Sequence, residues 1–590
     1  MKIKHLFGLA VIAAMSASCS SNEDLGTAGP GTGTNESGAS YASITIDLPT
    51  TRGTRAEIDN FDGGTASEYA VNDATLLIFQ KGTATSENDF KFVEKADLGN
   101  LEPWKKDDNP DNGITTEATI TAQLTKATVG EGGDYYALVI LNNKYDDDNK
   151  DKVSMPGSTD TYGTWNVANN VKNLNDNEKG FYMANAPEFK TAGEEPTTLV
   201  PIKGIYRTKE EAHSKPGATV HVERGLAKVT LSKGTEKDYF TGAKASGTKY
   251  SKDEVKITSW ALDVINKYSF PVHVTAGLKD GLTSKSQTVP DYPEIWNNIT
   301  GKTDRFVSQL SATGAFKRVY WGIDPNYSID LSNPTKCGEQ FTLATAAGSE
   351  VTWKNGSGSD NPLYCLENTF DIEHMKQGQT TRVLVKATYT PNAVAAETDK
   401  TFFMIGNSSD IWTVSTLAEQ IKSKAEEVLG TTPVVTVTLN DGIKAAGTRL
   451  LDATNVTIKS GEVDKTSAIV AQINNKLGLK AATTTEPIVG IKTYKDGESY
   501  YIARIKHFGD DFTKWNPGNY LYGGDNEKWL GRYGVLRNNW YDLTIGSISG
   551  PGYPDVPEVK PETPDDEDTK YINVSVKILD WAKRSSTLDL

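Results

Sequence analysis

The chain is rich in short runs of apolar and β-branched residues separated by turn-forming residues. Three clear runs are Ala74–Gln80 (ATLLIFQ), Tyr135–Leu141 (YYALVIL) and Thr381–Tyr389 (TRVLVKATY). The remaining runs are Thr219–Val222, Ala227–Leu231, Val255–Val264, Val434–Leu439 and Tyr541–Ile545. Many short strands joined by turns are typical of β-sandwiches, and 590 residues are enough for more than one domain. The pattern therefore predicts an all-β protein.

Two segments break this pattern with apolar residues at helical spacing. They are Ser415–Leu429 and Lys465–Leu477, and each is followed by a glycine, which favours helix termination. Asp464 precedes the second segment as a candidate N-cap. Because each segment has one apolar face, we expect two amphipathic helices inserted between strands and packed on a sheet.

The N-terminus has the pattern of an export signal. Lys2 and Lys4 precede the apolar stretch Leu6–Ala17, which is too short to span a bilayer as a mature helix. We therefore expect a signal peptide over residues 1–18. The small residues before Cys19 are typical of a bacterial lipobox, in which the cysteine is acylated and becomes the new N-terminus. The alternative is an ordinary signal peptide followed by a chance cysteine.

Two amphipathic segments near the two ends of the chain have the same strand pattern. Tyr41–Leu48 reads YASITIDL and Tyr571–Ile578 reads YINVSVKI. In each, every second residue is apolar, so one face of the strand is suited to a core. These residues are Ala42, Ile44, Ile46 and Leu48 in the first segment, and Ile572, Val574, Val576 and Ile578 in the second.

The sequences that separate these strands from the rest of the chain differ in character. Arg52-Gly53 and Arg55-Ala56 follow the first strand among small residues, and they form an accessible target for an arginine-specific protease. The stretch before the last strand, residues 551–570, is acidic and rich in proline. We expect it to be an extended, solvated linker.

Together these features suggest donor-strand exchange. The first strand would fill a groove in its own chain until proteolysis releases it, and the C-terminal strand of a neighbouring subunit would then pair in that groove. Such head-to-tail contacts propagate a fibre. The alternative is that Tyr571–Ile578 pairs within its own chain and that Arg52 and Arg55 are not a cleavage site.

No pattern for a catalytic, cofactor or metal site emerges from the sequence. The six histidines include no HExxH and no pair spaced for zinc. Asp147, Asn149 and Asp151 begin like a calcium loop, but Lys152 stands where that loop requires glycine. The net charge of −15 argues against nucleic acid as a partner. We therefore expect a structural or binding protein and not an enzyme.

Besides Cys19 the chain contains Cys337 and Cys365. An exported protein can form disulfides, so these two residues are either bonded to each other or are two buried free thiols.

Several sequence segments resemble those of the fimbrilins of Bacteroidales, the subunits of type V pili. The resemblance is greatest to the major subunit of their short, or minor, fimbriae. These segments are Val222–Val229 (VERGLAKV), Trp260–Lys267 (WALDVINK), Arg318–Tyr327 (RVYWGIDPNY), Tyr364–Phe370 (YCLENTF) and Gly531–Ile545 (GRYGVLRNNWYDLTI).

The resemblance implies two tandem transthyretin-like β-sandwich domains with a few inserted helices, for which the loop-rich stretch 232–252 is the candidate boundary. We place the sandwiches at 56–232 and 233–550, after a lipidated propeptide at 19–55 that contains the removable strand 41–48. A donor strand at 571–590 follows the linker. The resemblance also implies cleavage by an arginine-specific protease, and Arg55–Ala56 fits the family slightly better than Arg52–Gly53.

The expected partners are further copies of the chain, the protease, accessory anchor and tip subunits, and a host or bacterial surface receptor. The expected location is a cell-surface fimbrium that supports adhesion and biofilm formation, formed from an outer-membrane lipoprotein precursor. The alternative function is that of a monomeric surface lipoprotein that binds a host glycan or protein.

Overall fold

The computed structural model describes residues 38–48, 65–274, 322–507, 532–563 and 572–585. Shorter stretches inside these ranges are outside the description: 100, 102–104, 107–113, 116, 145–149, 170–173, 175–177, 189–195, 216, 328, 346–350, 370–373, 484–485 and 580–583. Cys19, Arg52, Gly53, Arg55 and Ala56 also lie outside it.

The first part of the chain forms a large sheet around one hydrophobic core. Its strands are β1 (Ser40–Asp47), β2 (Ala74–Gln80), β3 (Lys91–Asp97), β4 (Lys105–Lys106), β5 (Ile114–Thr115), β6 (Glu117–Leu124), β7 (Gly130–Glu131), β8 (Tyr135–Leu141), β9 (Met183–Asn185), β10 (Val200–Pro201), β11 (Gly204–Ile205) and β12 (Ala218–Arg224), and its helices are α1 (Ala66–Tyr69), α2 (Tyr162–Ala168) and α3 (Lys209–Ser214). The main sheet has the order β3-β2-β8-β9-β12-β1-β6, with β10 beside β8. Residues 76–79 of β2 are all buried, which explains the unbroken apolar run in its sequence.

The second part forms two sheets. They are built from β13 (Leu226–Ser232), β14 (Ala243–Lys244), β15 (Glu254–Asp263), β18 (Leu363–Leu366), β19 (Arg382–Thr390), β26 (Glu498–Arg504), β27 (Trp540–Ile548), β28 (Ile572–Leu579) and β29 (Arg584–Ser585). The short strands β16 (Ile265–Asn266) and β17 (Phe341–Thr342) pair with each other beside helix α4 (Pro334–Gln340). One sheet has the order β18-β13-β27-β28-β29 and the other β14-β15-β19-β26. Trp260, Val385 and Tyr541 belong to the hydrophobic core that both sheets share, so the two sheets form a sandwich.

Between β19 and β26 the chain forms a smaller unit with its own core. It consists of β20 (Phe402–Ile405), α5 (Val414–Leu429), β21 (Val435–Leu439), β22 (Gly447–Arg449), β23 (Val456–Ser460), β24 (Val463–Asp464), α6 (Thr466–Lys476) and β25 (Ile491–Tyr494). Leu417 and Ile421 of α5 and Ile473 of α6 are buried in this core. The two helices expected from the sequence are therefore confirmed to within one residue at each end, and so is an all-β fold with a few helices.

The change from the first sheet to the second occurs at Gly225. β12 ends at Arg224 in the first sheet, whereas β13 begins at Leu226 and pairs with β18 and β27 in the second part. The boundary expected at 232 therefore comes after a strand that belongs structurally to the second sandwich. Only Gly225 separates the two strands, so composition did not reveal the change of sheet.

A buried charged cluster joins the two parts of the chain. It consists of Glu223 at the end of β12, His273 after β16, Glu367 after β18 and Arg537 before β27. His273 lies 2.8 Å from Glu223 and 2.6 Å from Glu367, and Arg537 forms an ion pair with Glu367. Burial alone would lower the pKa of His273, but the two adjacent carboxylates outweigh that effect and raise it. Burial would raise the pKa of Glu367, but Arg537 and His273 hold it at about 2.

This cluster predicts a dependence of stability on pH. Folding raises the pKa of His273. Its contribution to folding stability is therefore fully present at a pH below the pKa of the unfolded state, about 6.5, and is lost as the pH rises through the pKa of the folded state. We expect His273→Gln to abolish this loss and to reduce stability at pH 6 by about 3 kcal/mol, because it leaves two carboxylates poorly neutralised. Urea unfolding between pH 5.5 and 9 measures both effects. His213→Gln, at an exposed histidine of α3, is the matched control. A wild-type pH profile in His273→Gln would contradict this prediction.

Candidate functional site

The first strand has a hydrogen-bonded neighbour on each side. β1 pairs antiparallel with β6 along its whole length, from Ser40 opposite Leu124 to Asp47 opposite Glu117. On its other side it pairs parallel with β12, from Ile44 opposite Ala218 to Asp47 opposite His221. β1 therefore occupies a slot inside the first sheet, which we call the β1 slot: the space between β6 and β12.

The inner face of β1 is part of the first hydrophobic core. Ala42, Ile44 and Ile46 are fully buried, and Leu48 is 2% exposed. These are the four residues whose alternation in the sequence marked one apolar face. Burial of an aliphatic side chain of this size contributes about 1.5–3 kcal/mol. The strand is therefore a substantial part of the core of the uncleaved chain.

The outer face of β1 makes polar contacts. The hydroxyl of Thr45 is 2.9 Å from that of Thr119 on β6. Asp47 lies near His221 of β12, with its Oδ2 3.9 Å from Nε2, and the other ring nitrogen of His221 is 2.8 Å from Glu188. These side chains are partly exposed, so the outer face meets solvent while the inner face is sealed.

β6 depends on β1 for its place in the sheet. Among the described residues β1 is the partner that continues the ladder to β6, and a second attachment comes from Glu94 of β3. The Glu94 carboxylate accepts hydrogen bonds of 2.7–2.9 Å from the backbone N–H groups of Thr125, Lys126 and Ala127, and from the Thr125 hydroxyl. Burial would raise the pKa of Glu94, but these hydrogen bonds lower it overall. The end of β6 is thus fixed independently of β1.

The C-terminal strand lies in the second sandwich of its own chain. β28 pairs antiparallel with β27, from Ile572 opposite Ile548 to Leu579 opposite Trp540, and on its other side it pairs with the short strand β29. Its backbone is described, whereas the side chains of Ile572, Val574, Val576 and Ile578 are outside the description. In the single chain, the intrachain pairing named above as the alternative is therefore present.

The Pro-rich stretch before β28 is not a free linker over its first part, so that expectation was wrong. Residues 551–563 lie against the second sandwich. Tyr553 exchanges two backbone hydrogen bonds with Tyr500, of 2.7 and 2.9 Å, and Thr563 accepts one of 2.9 Å from Gln377. Arg382 donates to the carbonyl of Pro557 at 3.1 Å, and Val559 is only 5% exposed. We call residues 551–563 the strap.

The two remaining cysteines are free and buried. Cys337 belongs to a small cluster around α4, and its thiol donates to the carbonyl of Leu331 at 3.3 Å. Cys365 lies in the core of the second sandwich. Burial raises the pKa of Cys337 to about 11 and of Cys365 to about 12, so both remain protonated at neutral pH. Of the two alternatives drawn from the sequence, the structure has the free thiols.

Within the described part of the chain, no group of three or more His, Cys, Asp and Glu residues is placed to hold a metal ion. Asp147 and Asn149 lie outside that part. None of the helices that the structure describes is long and apolar enough to cross a membrane.

Comparison with known protein families identifies the C-terminal region. Residues 492–587, from β25 to just beyond β29, match the family model described as "Major fimbrial subunit protein type IV, Fimbrillin, C-terminal". This region of the chain is similar to the C-terminal part of a fimbrillin. The resemblance expected from the sequence is confirmed on these residues, which include the strap, β27 and β28. The description of that family names a major fimbrial subunit, which is a structural protein.

A search of curated protein sequences finds no match. Among solved structures, a fimbrilin from Porphyromonas gingivalis W83 is similar, with 12% identity, coverage of 93% of this chain and 99% of the other, and a TM-score of 0.35. The tip fimbrial protein Mfa3 from Porphyromonas gingivalis has 10% identity, coverages of 92% and 100%, and a TM-score of 0.30. A fimbrial assembly protein from Parabacteroides distasonis ATCC 8503 has 11% identity, coverages of 59% and 95%, and a TM-score of 0.24. At these identities and scores the structures add no argument about function.

The burial of β1 predicts a large effect of truncating its inner face in the uncleaved chain. We expect Ile46→Ala to lower the free energy of unfolding by about 2–5 kcal/mol, because it leaves a cavity beside fully buried neighbours. Val463→Ala, at a side chain that is 55% exposed, is the control and should change stability by less than about 0.5 kcal/mol. Denaturant unfolding of the uncleaved protein compares them, and equal effects would show that the inner face of β1 does not support the core.

Proposed function

We propose that the chain is a shaft subunit of a cell-surface fimbrium that polymerises by protease-triggered donor-strand exchange. In this proposal an arginine-specific protease cuts after Arg55, or after Arg52, and β1 leaves the sheet. The C-terminal strand of a neighbouring subunit then takes its place. The observation that carries the proposal is that β1 fills an interior slot while its connection to α1 runs through a segment containing both arginines.

Cleavage would change how strongly β1 competes for the β1 slot, because it would remove the covalent tether of that strand. While β1 is tethered, its effective concentration at the slot is on the order of millimolar, and a strand from another chain competes poorly. After cleavage a released β1 is diluted into the surroundings. The slot then exposes an apolar floor and two strand edges with unpaired backbone groups, on β6 and β12, which are costly to leave open. Glu94 would hold the end of β6 in place meanwhile.

The C-terminal strand is suited to fill this slot. In its own chain β28 has one full-length neighbour, β27, and one neighbour of only two residues, β29. In the slot it would have β6 along one side and β12 along the other, so it would gain a backbone ladder. Its alternating aliphatic residues match the buried positions of β1.

Because the slot is in the first sheet and β28 is in the second sandwich, the contact is between two different surfaces. A contact of this type does not close on itself and extends into a fibre. The match of residues 492–587 to a family of major fimbrial subunits supports the role of a fimbrial subunit. We further propose that the precursor is lipidated at Cys19 on the outer membrane. Assembly would involve accessory anchor and tip subunits and would serve adhesion, through a host or bacterial receptor, and biofilm formation.

The proposal requires a donor strand and a cleavage site, and it predicts that removal of either prevents polymerisation. We expect deletion of residues 571–590 to abolish polymers, because no donor strand remains. We expect the combined change Arg52→Ala and Arg55→Ala to yield uncleaved, monomeric protein. Denaturant-resistant ladders on gels run without heating measure both, and N-terminal sequencing of the wild-type polymer locates the cut. Arg207→Ala, outside the propeptide, is the control for the arginine changes. Polymers that form without residues 571–590, or from chains that retain β1, would exclude this mechanism and favour a monomeric lipoprotein adhesin.

A further inference from the structure

The two strands that the proposed function exchanges can be aligned residue by residue. With Tyr41 matched to Tyr571, all four apolar positions coincide, and Ser43 and Thr45 are matched by the polar residues Asn573 and Ser575. Each strand carries a single charged residue, and the two fall at the same position with opposite sign. In the leaving strand this residue is Asp47, and in the incoming strand it is Lys577.

The surroundings of this position are acidic. Across the ladder, Asp47 is the direct partner of Glu117 on β6. On the β12 side it is the direct partner of His221, whose Nε2 is 3.9 Å from the Asp47 carboxylate. The other nitrogen of that ring is 2.8 Å from Glu188, so two acidic side chains lie beside His221. Like charges directly opposite each other on neighbouring strands are destabilising, whereas opposite charges are stabilising. Across the β6 ladder Asp47 therefore has a like charge as its direct partner, whereas a lysine at this position would have an opposite one.

Resting on the proposed function, we propose that the incoming strand docks in the register and direction of β1, with Lys577 at the position of Asp47. It would then lie opposite Glu117 of the receiving subunit and next to the His221–Glu188 pair. Exchange replaces an acidic pair across the ladder by an oppositely charged one. The charge at this position thus favours the incoming strand over the leaving one, and it fixes how far the strand is inserted.

Other registers lack this contact. A slip by one residue would turn the aliphatic side chains away from the core. A slip by two residues that keeps Lys577 within the slot would place it at the position of Thr45, between Thr119 and Thr219, where neither partner is charged. The apolar pattern alone permits a slip by two, so the charged residue is what distinguishes the registers.

Engineered disulfides test the register directly. In a chain with Glu117→Cys and Lys577→Cys, we expect oxidised polymers to give ladders that survive boiling and disappear on reduction. The pair Thr119→Cys with Lys577→Cys should give at least about tenfold less product, because its partners are offset by two residues. Asp47→Cys with Glu117→Cys in the uncleaved chain is the positive control, since those residues are direct partners there. The native Cys337 and Cys365 are buried, which limits background linkage.

Charge reversal tests whether the opposite charges of Lys577 and Glu117 favour assembly. We expect Lys577→Glu to slow assembly about tenfold, and Glu117→Lys in the same chain to restore it. Lys480→Glu, at an exposed lysine outside both the β1 slot and residues 571–590, is the control and should assemble like the wild type.

The outcomes separate this inference from the proposed function. If the 119–577 pair links better than the 117–577 pair, or if Lys577→Glu assembles at the wild-type rate, the register proposed here is wrong although strand exchange stands. If polymers persist after deletion of residues 571–590, the proposed function itself fails.

Discussion

The hydrogen-bond ladders on the two sides of β1 are the interaction on which the first sheet depends. One ladder is parallel and the other antiparallel, and the apolar face between them is fully buried. A strand in this position is normally a permanent part of a fold. Here the connection that follows it contains Arg52 and Arg55, so the cut that we propose there would remove the covalent tether of an interior strand. The stability that β1 gives the uncleaved chain is therefore what a replacing strand would have to match with contacts of its own.

The junction between the two parts of the chain is held by different interactions from those that hold β1. The cluster of Glu223, His273, Glu367 and Arg537 is buried and pairs its charges internally. A second buried ion pair joins Glu68 of α1 to Lys228 of β13, at 2.8 Å. Neither set includes a residue of β1. Loss of the first strand would therefore leave these ion pairs between the sheet and the sandwich intact, as the proposed exchange requires.

The sequence was informative where one face of an element is apolar and the other is not. Both inserted helices, the all-β class and the alternation of β1 follow from that periodicity. Sequence-based prediction failed for features that depend on which distant residues the fold brings together. The change of sheet occurs at Gly225, the single residue between two strands, and the charged cluster joins residues from 223 to 537 that only the fold brings together. The strap reads as solvated because acidic residues and prolines dominate it, but one buried valine and a series of backbone contacts dock it. Lys577 could be matched to Asp47 from the sequence alone, whereas the meaning of that match needed Glu117, His221 and Glu188 to be placed around it.

Docking of the strap limits what a fibre of these subunits can look like. If residues 551–570 were all free, twenty residues of extended, Pro-rich chain would reach about 62 Å. With the chain fixed as far as Thr563, only the eight residues 564–571 remain before the strand, and the nine Cα–Cα steps from Thr563 to Ile572 span at most about 32 Å. The slot of the next subunit must then begin within that distance of Thr563. A fibre in which the strap stays docked therefore has closely apposed subunits with a restricted range of relative orientations, whereas a loose chain of beads would require the strap to detach from Tyr500 and Gln377.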